Sequence, residues 1–476
     1  MNRPAPLKEP TLDSVTTINE DGSRYFLHPA DARGKFTLLR RLVGILLLAV
    51  YALLPWIPIN GHPAVFLDLG QQRFHFFGVT FAVQEVWLLF FVITGLAFSL
   101  FYVTALFGRI WCGWTCPYTV FLEHVYRRIE RWLEGDAAAR RRLDAAPMSP
   151  AKFTRRAIKH AAFLAVSAVI AHIFLSYFVS VEQLYGMMHD SPLDHVKSFG
   201  VVSFITAVLY FGFGWFREQF CIILCPYGRF QSVLTDEDTL VIGYDAKRGE
   251  PRGKANDPTA GACVDCHRCI QVCPTGIDIR NGLQIECIGC AACIDACDDI
   301  MAKLKRPKGL IRYSSNRGLE GKSTRWVRGR TILYSGLLAL GMIALTISLL
   351  SVKPVRANLV RMPGQPFFLT ETTVRNHFRL RLVSKRNEPT KFHLRLAGGP
   401  EGSQIAAAEA IQELPPLGED LFTVPIEVPI ANYRGTFDFR VIIEGEDGKE
   451  LTRTAGAFAG PHPRLMQPSA ATTGKP

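Results

Sequence analysis

Five long apolar stretches divide this chain, and each is bounded by polar or charged residues. Most of them reach the roughly 20 residues that a helix needs to cross the hydrocarbon core of a bilayer. The fourth stretch is the shortest, and prolines interrupt the end of the first. The pattern predicts a membrane protein with about five transmembrane α-helices. The stretches are approximately Leu38–Ile59, Val83–Phe107, Ile158–Val181, Gly200–Phe216 and Thr331–Val352.

Beyond the fifth stretch, apolar and polar residues alternate. Alternation with a period of two predicts strands that have one buried face. Several such strands, separated by Gly, Asn and Pro, predict an immunoglobulin-like β-sandwich. The segment contains no catalytic motif, so we expect a module for contacts. The clearest runs are Phe378–Val383, Phe392–Leu396, Phe422–Ile426 and 436–443.

A further periodic segment lies between the second and third stretches, at residues 121–142. Apolar residues recur there at helical spacing and arginines occupy the other positions, which predicts one amphipathic helix. Such a helix suits the anionic inner leaflet of a membrane. An ordinary basic loop helix is the alternative. The apolar face would comprise Phe121, Val125, Ile129, Trp132 and Leu133.

The formal net charge of +12 does not indicate nucleic-acid binding, because the basic residues follow a membrane pattern. Lys and Arg collect before the first apolar stretch, after the second and after the fourth, whereas the loops 60–82 and 182–199 contain only Arg73 and Lys197. Basic residues gather in cytoplasmic loops. We therefore expect the N-terminus in the cytoplasm and the C-terminal segment outside. All twelve cysteines precede Thr331, on the predicted cytoplasmic side, where thiols stay reduced.

Eight of these cysteines form two runs with the spacing C-x2-C-x2-C-x3-C. This is the spacing of bacterial two-cluster ferredoxins, in which the last cysteine of each run binds the other cluster. The runs therefore predict two [4Fe-4S] clusters in a ferredoxin-like α+β module. We assign one cluster to Cys263, Cys266, Cys269 and Cys297, and the other to Cys287, Cys290, Cys293 and Cys273.

Zinc and disulfides are the alternative uses of these cysteines. Zinc sites typically contain two C-x2-C pairs and not runs of four. Disulfide frameworks are typical of short secreted chains, whereas this chain has 476 residues. Asp298 replaces the proline of the ferredoxin pattern after the second run, which alters the local backbone and not the ligands. The spacing predicts an electron carrier.

The remaining four cysteines form an internal repeat, C-x3-C-P-Y-x2-F. One copy contains Cys112 and Cys116, the other contains Cys221 and Cys225, and each copy follows a predicted transmembrane helix. A spacing of four places two thiols on one side of a helical turn, within reach of one soft metal ion. The copies predict two dithiol sites or, where the preceding helices pack side by side, one four-thiolate site. Buried structural cysteines are the alternative.

Four other positions are weaker candidates. His172, within the third apolar stretch, could ligate haem or contact a quinone, but we expect it to pack in the interior. Met187–His189 could bind copper, although ordinary loop residues are the simpler interpretation. His124 could complete a copper or redox site beyond Cys116. His267 could tune a cluster potential, but we expect a surface role.

These patterns divide the chain into six segments. A cytoplasmic leader at 1–37 precedes a four-helix membrane domain at 38–233, which carries both C-x3-C-P motifs. The ferredoxin-like module is expected at 234–311 and a basic linker at 312–330. The fifth transmembrane helix is expected at 331–352 and the external β-sandwich at 353–476.

The combination resembles the FixG/RdxA/CcoG-type cytochrome c oxidase accessory proteins. The matching pieces are Cys112–Pro117, Cys221–Pro226, Cys263–Pro274 and Asn281–Asp298, with the five-helix layout and the β-rich tail, so the resemblance covers nearly the whole chain. Membrane ferredoxins of nitrate-reductase systems are similar through the cysteine regions but lack the long external tail. The resemblance implies a bacterial inner-membrane protein with cytoplasmic clusters and a periplasmic β-sandwich. Its partners would be cbb3-type oxidase assembly factors or copper transporters and chaperones, and not nucleic acid.

In that family the proposed task is reduction of Cu(II) to Cu(I) for the oxidase copper centre. The resemblance then implies that Cys112/Cys116 and Cys221/Cys225 hold or reduce copper, because thiolates prefer Cu(I), and that the clusters return the electrons. Two rival functions remain. One is a quinol-linked electron-transfer subunit without copper, and the other is an assembly scaffold with structural clusters. The electron donor is not identified by the sequence.

Overall fold

The computed structural model describes residues 16–18, 24–70, 72–82, 87–350, 353, 355–386, 388–406, 412–416 and 418–462. The chain forms two compact units. The first comprises residues 1–69 and 87–345 and contains all twelve cysteines. The second comprises residues 70–86 and 346–476 and contains the β-rich tail.

Among the described residues, five helices are long and apolar enough to cross a membrane, which confirms the predicted number. The largest difference from the predicted bounds is at the third helix, which begins at Pro150 and not at Ile158. Its first turns are polar, but Ser149 accepts a hydrogen bond from the Lys152 amide and caps the helix, with Pro150 at the first helical position. The five spans are Lys35–Trp56, Trp87–Phe107, Pro150–Leu175, Val196–Phe216 and Gly329–Leu350.

Short elements connect the first four spans. Between the first and second spans lie the strands Pro58–Ile59, His62–Pro63 and Val65–Asp68. Between the third and fourth spans, Ser180 caps a helix at Val181–His189. Met187–His189 therefore lies on a helix, and the prediction of loop residues there is wrong.

The segment after the second span is broken into several helices, so the prediction of one amphipathic helix over 121–142 is wrong. Gly135 has a φ of 89° and Asp136 caps a new helix. Trp132, of the predicted apolar face, is 78% exposed, whereas Arg127 and Arg140, expected on the polar face, are buried in ion pairs. Buried ion pairs decide which face of these helices packs against the protein, and a hydropathy pattern does not reveal ion pairs. The helical segments are Ile110–Trp114, Pro117–Phe121, a π-helical turn at Leu122–Tyr126, Arg127–Glu134 and Ala137–Ala145.

The fourth span ends in a π-helical turn at Gly212–Phe216, and a second such turn at Phe220–Leu224 leads to the helix Pro226–Leu234. Single π-helical turns within helical segments are frequent at functional sites. One of these turns precedes the second C-x3-C-P motif and the other contains its first cysteine, Cys221, whereas Leu122–Tyr126 follows the first motif.

The ferredoxin-like module follows, as predicted. Strands Val241–Tyr244 and Ile311–Ser314 pair antiparallel and close it. The second strand and the helix Asn316–Leu319 extend into the segment that we expected to be a linker. The helices between the strands are Ala246–Gly249, Arg268–Gln271, Ile279–Asn281 (a 3₁₀ turn) and Ala292–Lys303.

The second unit contains the predicted β-sandwich. One sheet joins Gln404–Ile405, Glu419–Pro429, Thr373–Ser384 and Val355–Arg361, with Phe368–Leu369 at its edge. The other joins Gln412–Leu414, Thr390–Ala397, Phe437–Gly445 and Glu450–Phe458. Alternate residues of both sheets, among them Leu380 and Phe439, form one buried core. A hairpin of Arg73–Phe76 and Val79–Ala82 also belongs to this unit.

Candidate functional site

Two cavities in the ferredoxin-like module are lined by the cysteines of the two runs. Each run contributes its first three thiols to one cavity and its fourth to the other. The two cavities are similar in size, as two identical cofactors would require. The first cavity is lined by Cys263, Cys266, Cys269 and Cys297, and the second by Cys273, Cys287, Cys290 and Cys293, with Cys269 between them. All twelve cysteines are free thiols.

The backbones of the two runs bend in the same way. In the first run, the third residue Asp265 has a φ of 50° and the fifth residue His267 a φ of 52°. In the second run, the third residue Gly289 has a φ of 67° and the fifth residue Ala291 a φ of 60°. This left-handed conformation costs a residue with a Cβ atom about 1 kcal/mol or more. Three non-glycine residues adopt it, so their surroundings must hold it in place. The repeat in sequence is therefore a repeat in local structure.

Arg280 holds the first of these loops and was not identified from the sequence. Its buried guanidinium donates hydrogen bonds to Asp265 Oδ1 at 2.5 Å and to Asp278 Oδ2 at 2.7 Å, and it lies 3.0 Å from His267 Nδ1. These carboxylates raise the pKa of Arg280, which also lines the first cavity. His267 is half-exposed, but its ring belongs to this group of contacts.

The two C-x3-C-P motifs share one backbone arrangement. The amide of Cys116 donates to the Trp111 carbonyl at 2.9 Å, and the amide of Cys225 donates to the Phe220 carbonyl at 2.8 Å, each five residues back. Both second cysteines are extended, and the following proline begins a new helix. The paired thiols thus lie on either side of a helix boundary and not on one continuous helix.

The structure brings the four thiols of the two motifs into one neighbourhood. Burial, together with the charges of Cys116, Cys112 and Cys225, raises the pKa of Cys221 to about 12. Burial also raises the pKa of Cys112 to about 11, partly opposed by Arg109. Within the described ranges, no three or more His, Cys, Asp or Glu side chains are close enough to hold one metal ion, and this includes the ferredoxin cysteines.

Reciprocal tyrosines join the two motifs. The hydroxyl of Tyr118, in the first motif, lies 2.8 Å from the carbonyl oxygen of Gly212 and 2.7 Å from that of Arg217, which precede the second motif. The hydroxyl of Tyr227, in the second motif, lies 2.6 Å from Thr104 Oγ1 in the second span. Each half of the repeat therefore completes its packing on the other half.

The first motif also touches the second cysteine run directly. Cys112 packs in a buried cluster with Val272, Ile288 and Cys290. A Cβ atom placed on Gly113 would lie 2.6 Å from the Ile288 oxygen and 2.8 Å from the Cys290 Cα. Only glycine allows this approach of the two backbones. The four-thiol neighbourhood therefore adjoins the second cavity.

Buried ion pairs hold these parts together. Arg217 donates two hydrogen bonds to Glu130, at 2.9 and 3.0 Å. Glu218 accepts from Arg127 at 3.0 Å and from Arg24 at 2.5 Å. Burial would raise the pKa of Glu130, but Arg217 and neighbouring cations hold it down to about 2. Arg127 was expected on the basic face of a helix at the membrane surface, and its buried partner Glu218 lies 91 residues away in the chain.

The weaker candidates His124, His172 and His189 contact residues other than the four thiols. His124 packs against Gly44 of the first span, and burial, reinforced by Arg40, lowers the pKa of His124 to about 4. His172 Nδ1 lies 2.7 Å from the Ala168 carbonyl oxygen of its own helix, in agreement with a packing role. His189 Nδ1 lies 2.9 Å from the Tyr185 carbonyl oxygen on the helix after the third span.

Family profiles match three parts of the chain. A profile described as a 4Fe-4S dicluster domain matches residues 216–316, and one described as a 4Fe-4S binding domain matches residues 86–135. The latter segment contains only Cys112 and Cys116 among the cysteines. A profile of the Ig-like fold at the C-terminus of FixG matches residues 345–461. The matches cover both sets of motifs and the β-sandwich.

Curated relatives match most of the chain. The nitrogen fixation protein FixG of Rhizobium meliloti is 34% identical over 435 residues, which cover 81% of each chain. Protein RdxA of Cereibacter sphaeroides is 34% identical over 78% of this chain and 82% of its own. Protein RdxB of the same organism is 33% identical over 81% and 84%. Together with the five spans, the two cysteine-lined cavities and the C-terminal sandwich, these matches show that the chain belongs to the FixG/RdxA family of membrane iron–sulfur electron-transfer proteins.

Proposed function

We propose that this protein reduces Cu(II) to Cu(I) at the cysteines of its two C-x3-C-P motifs, in the assembly of a cbb3-type cytochrome c oxidase. The observation that carries the proposal is the direct contact of Cys112 and Gly113 with Ile288 and Cys290. It puts soft metal ligands beside the iron–sulfur module. Each reduction transfers one electron from the module to one copper ion.

The cysteine sets give each residue a role. Cys263, Cys266, Cys269 and Cys297 would hold one [4Fe-4S] cluster, and Cys273, Cys287, Cys290 and Cys293 the other. When bound, these clusters supply single electrons. Cys112, Cys116, Cys221 and Cys225 would bind copper as one shared site, because Tyr118 and Tyr227 pack the two motifs on each other's halves. Thiolates favour Cu(I) over Cu(II), so binding there promotes reduction.

In this proposal the protein lies in the bacterial inner membrane, with both cysteine groups facing the cytoplasm and the β-sandwich facing the periplasm. The sorting of Lys and Arg along the chain supports this orientation. Oxidase assembly factors or copper carriers would be its partners. A maleimide that cannot cross membranes should label an added cysteine in the sandwich of intact cells. It should label Cys266, the exposed ferredoxin cysteine, only after lysis and iron removal.

The decisive experiment replaces Cys112, Cys116, Cys221 and Cys225 by serine in the full-length protein. We expect Cu(II) reduction to fall to background after chemical reduction of the clusters, while iron stays at about eight atoms per chain, four for each of two clusters. Reduction that persists would overturn the copper assignment. The control is Cys266→Ser, which should lower the iron content instead.

The iron count also tests whether the shared site of the four C-x3-C-P cysteines holds an iron–sulfur cluster and not copper. The 4Fe-4S profile match over residues 86–135, with Cys112 and Cys116, favours an iron–sulfur cluster there. A third cluster would give about twelve iron atoms per chain, and the fourfold serine variant would lose about four of them. A scaffold with structural clusters predicts instead that neither cluster can be reduced by dithionite.

A further inference from the structure

A strongly basic pocket lies where the first span, the helices after the second span and the ferredoxin-like module meet. Its volume is about 90 Å³, well below the roughly 300–1,000 Å³ of sites that enclose a whole small molecule. The pocket therefore has room for one ionic group of a larger molecule. Six arginines and two carboxylates contribute to its lining. The arginines are Arg40, Arg41, Arg127, Arg128, Arg131 and Arg140.

Four of these arginines already have a carboxylate partner. Their charges are therefore neutralised within the protein, and they form a fixed frame around the pocket. The pairs are Arg40 with Glu123, Arg127 with Glu123 and Glu218, Arg131 with Asp31, and Arg140 with Glu130.

Arg41 and Arg128 are the other two, and among the described residues neither forms an ion pair or a hydrogen bond. Arg41 is exposed and Arg128 is partly exposed, so a ligand from outside can reach both. Burial and the nearby positive charge of Arg41 lower the pKa of Arg128, with partial opposition from Glu123. An anion in contact with both guanidinium groups would relieve this repulsion.

The two unpaired arginines lie at the edge of the lipid-facing surface. Arg41 belongs to the first span, where its neighbours Leu38 and Leu42 are 56% and 54% exposed. Trp132, one turn beyond Arg128 on the helix Arg127–Glu134, is also exposed, and tryptophan is enriched where a membrane meets water. Acyl chains can therefore pack beside Leu42 while a headgroup reaches Arg41.

We infer that this pocket binds the phosphate of one anionic phospholipid, with Arg41 and Arg128 as its ligands. A guanidinium group matches a phosphate through two parallel hydrogen bonds. Basic pockets between membrane helices on the cytoplasmic side are suited to anionic headgroups. The site differs from the general attraction of a basic surface to an anionic leaflet, because two defined residues hold a single lipid molecule.

The bound lipid would fasten the ferredoxin-like module to the membrane half of the same compact unit. Pro274 and Ala292 of the module form part of the pocket wall. Beside them, Asp295 Oδ2 accepts hydrogen bonds from the amide and the hydroxyl of Thr37 in the first span, at 2.6 and 2.7 Å. A ligand that binds only this folded arrangement stabilises it. The inference is independent of copper reduction.

The test uses the full-length protein with its clusters in an uncharged detergent, and dioleoylphosphatidylglycerol as the probe. Native mass spectrometry during a lipid titration counts the bound molecules and gives the affinity. We expect one tightly bound lipid per chain in the wild type. Replacing both ligands, as Arg41→Gln with Arg128→Gln, should weaken its binding about ten- to thirtyfold, since each basic residue near an anionic headgroup contributes to affinity.

The matched control is Arg142→Gln with Arg155→Gln, which removes the same charge from exposed positions outside the pocket. This control should bind the lipid like the wild type. Equal weakening in the control, or unchanged binding in Arg41→Gln with Arg128→Gln, would overturn the proposal.

Two competitors distinguish a lipid site from a site for a small anion. Dioleoylphosphatidylcholine has a phosphate without net charge, and inorganic phosphate has the charge without acyl chains. Failure of both to displace the probe at matched ionic strength would support the lipid site, whereas displacement by millimolar inorganic phosphate would overturn it.

A second measurement follows the thermal loss of the iron–sulfur absorbance. The probe should raise the midpoint temperature of the wild type and of the control, and not that of Arg41→Gln with Arg128→Gln. An equal rise in all three proteins would contradict the assignment of these two ligands. Cu(II) reduction after chemical reduction of the clusters should be the same in all three, so its failure concerns the other site.

Discussion

Replacing Gly113 by alanine should force the first C-x3-C-P motif away from the second cysteine run. The added Cβ atom would lie 2.6 Å from the Ile288 oxygen and 2.8 Å from the Cys290 amide nitrogen. Ordinary contacts are about 3.5 Å, so the two backbones must separate by roughly 0.8 Å. No rotation of a side chain relieves the clash, because the nearest atoms are backbone atoms.

The expected cost of this overpacking is about 1–3 kcal/mol. Gly113 lies in the short helix Ile110–Trp114, where alanine is favoured over glycine by up to about 1 kcal/mol. A net loss of about 1–2 kcal/mol should remain. Because the clash lies between the C-x3-C-P cysteines and the cluster module, the proposed electron transfer to copper should slow more than cluster assembly does.

The assay follows thermal loss of the visible iron–sulfur absorbance anaerobically, and the rate of Cu(I) formation from clusters reduced beforehand. Gly113→Ala should lower the midpoint temperature and slow Cu(I) formation, with iron per chain unchanged. Gly186→Ala is the control, because a Cβ atom there meets nothing within 4 Å. If Gly113→Ala has wild-type stability and wild-type copper kinetics, the two backbones do not touch and the route through Cys112 is wrong.

Three further outcomes test the supports of the site. Tyr118→Phe removes the hydroxyl that contacts two carbonyl oxygens, and it should cost about 1–3 kcal/mol in thermal stability, whereas exposed Tyr185→Phe should cost nothing measurable. The pKa of Glu130 is about 2, below its ordinary value of 4.5. Its contribution of roughly 3 kcal/mol to the free energy of unfolding is therefore complete above pH 4.5 and is lost as the pH falls toward 2. Thermal melts by circular dichroism should show this loss of stability in the wild type and less of it in Glu130→Gln. Arg280→Met removes the cation that holds the loop of the first cluster, and the iron content should fall from about eight atoms per chain toward four. An unchanged iron content would show that this loop forms without Arg280.

The sequence predicted the elements that follow from local patterns. Five spans were predicted because a membrane helix needs a long apolar run, and the sandwich strands were predicted because alternation marks a half-buried sheet. The start of the third span at Pro150 was missed, since a cap and not hydropathy defines it. The break at Gly135 was missed although its signals are local, a glycine with a φ of 89° followed by the capping Asp136. The burial of Arg127 had no local signal, because its partner Glu218 lies 91 residues away.

The candidate site likewise has parts that local sequence patterns predict and parts that depend on distant contacts. Cysteine spacing alone assigned the two sets of thiols that line the two cavities, since the spacing dictates which thiols can share a cubane. The closeness of the two C-x3-C-P motifs depends on packing between spans, and the sequence left one or two sites open. The tyrosine at the same position of each copy, Tyr118 and Tyr227, was a sequence signal that the two copies contact each other. The Gly113 contact had no such signal.

The exchange of Tyr118 and Tyr227 has a consequence for how the membrane half of the protein can be assembled. Each tyrosine anchors on backbone or side chain that belongs to the opposite repeat, so neither repeat is a finished unit by itself. The stretch that links them includes the helix Val181–His189, which lies outside both motifs. Cutting the chain within that stretch and producing both fragments together should therefore restore the whole arrangement, while either fragment alone should not hold its thiols in place.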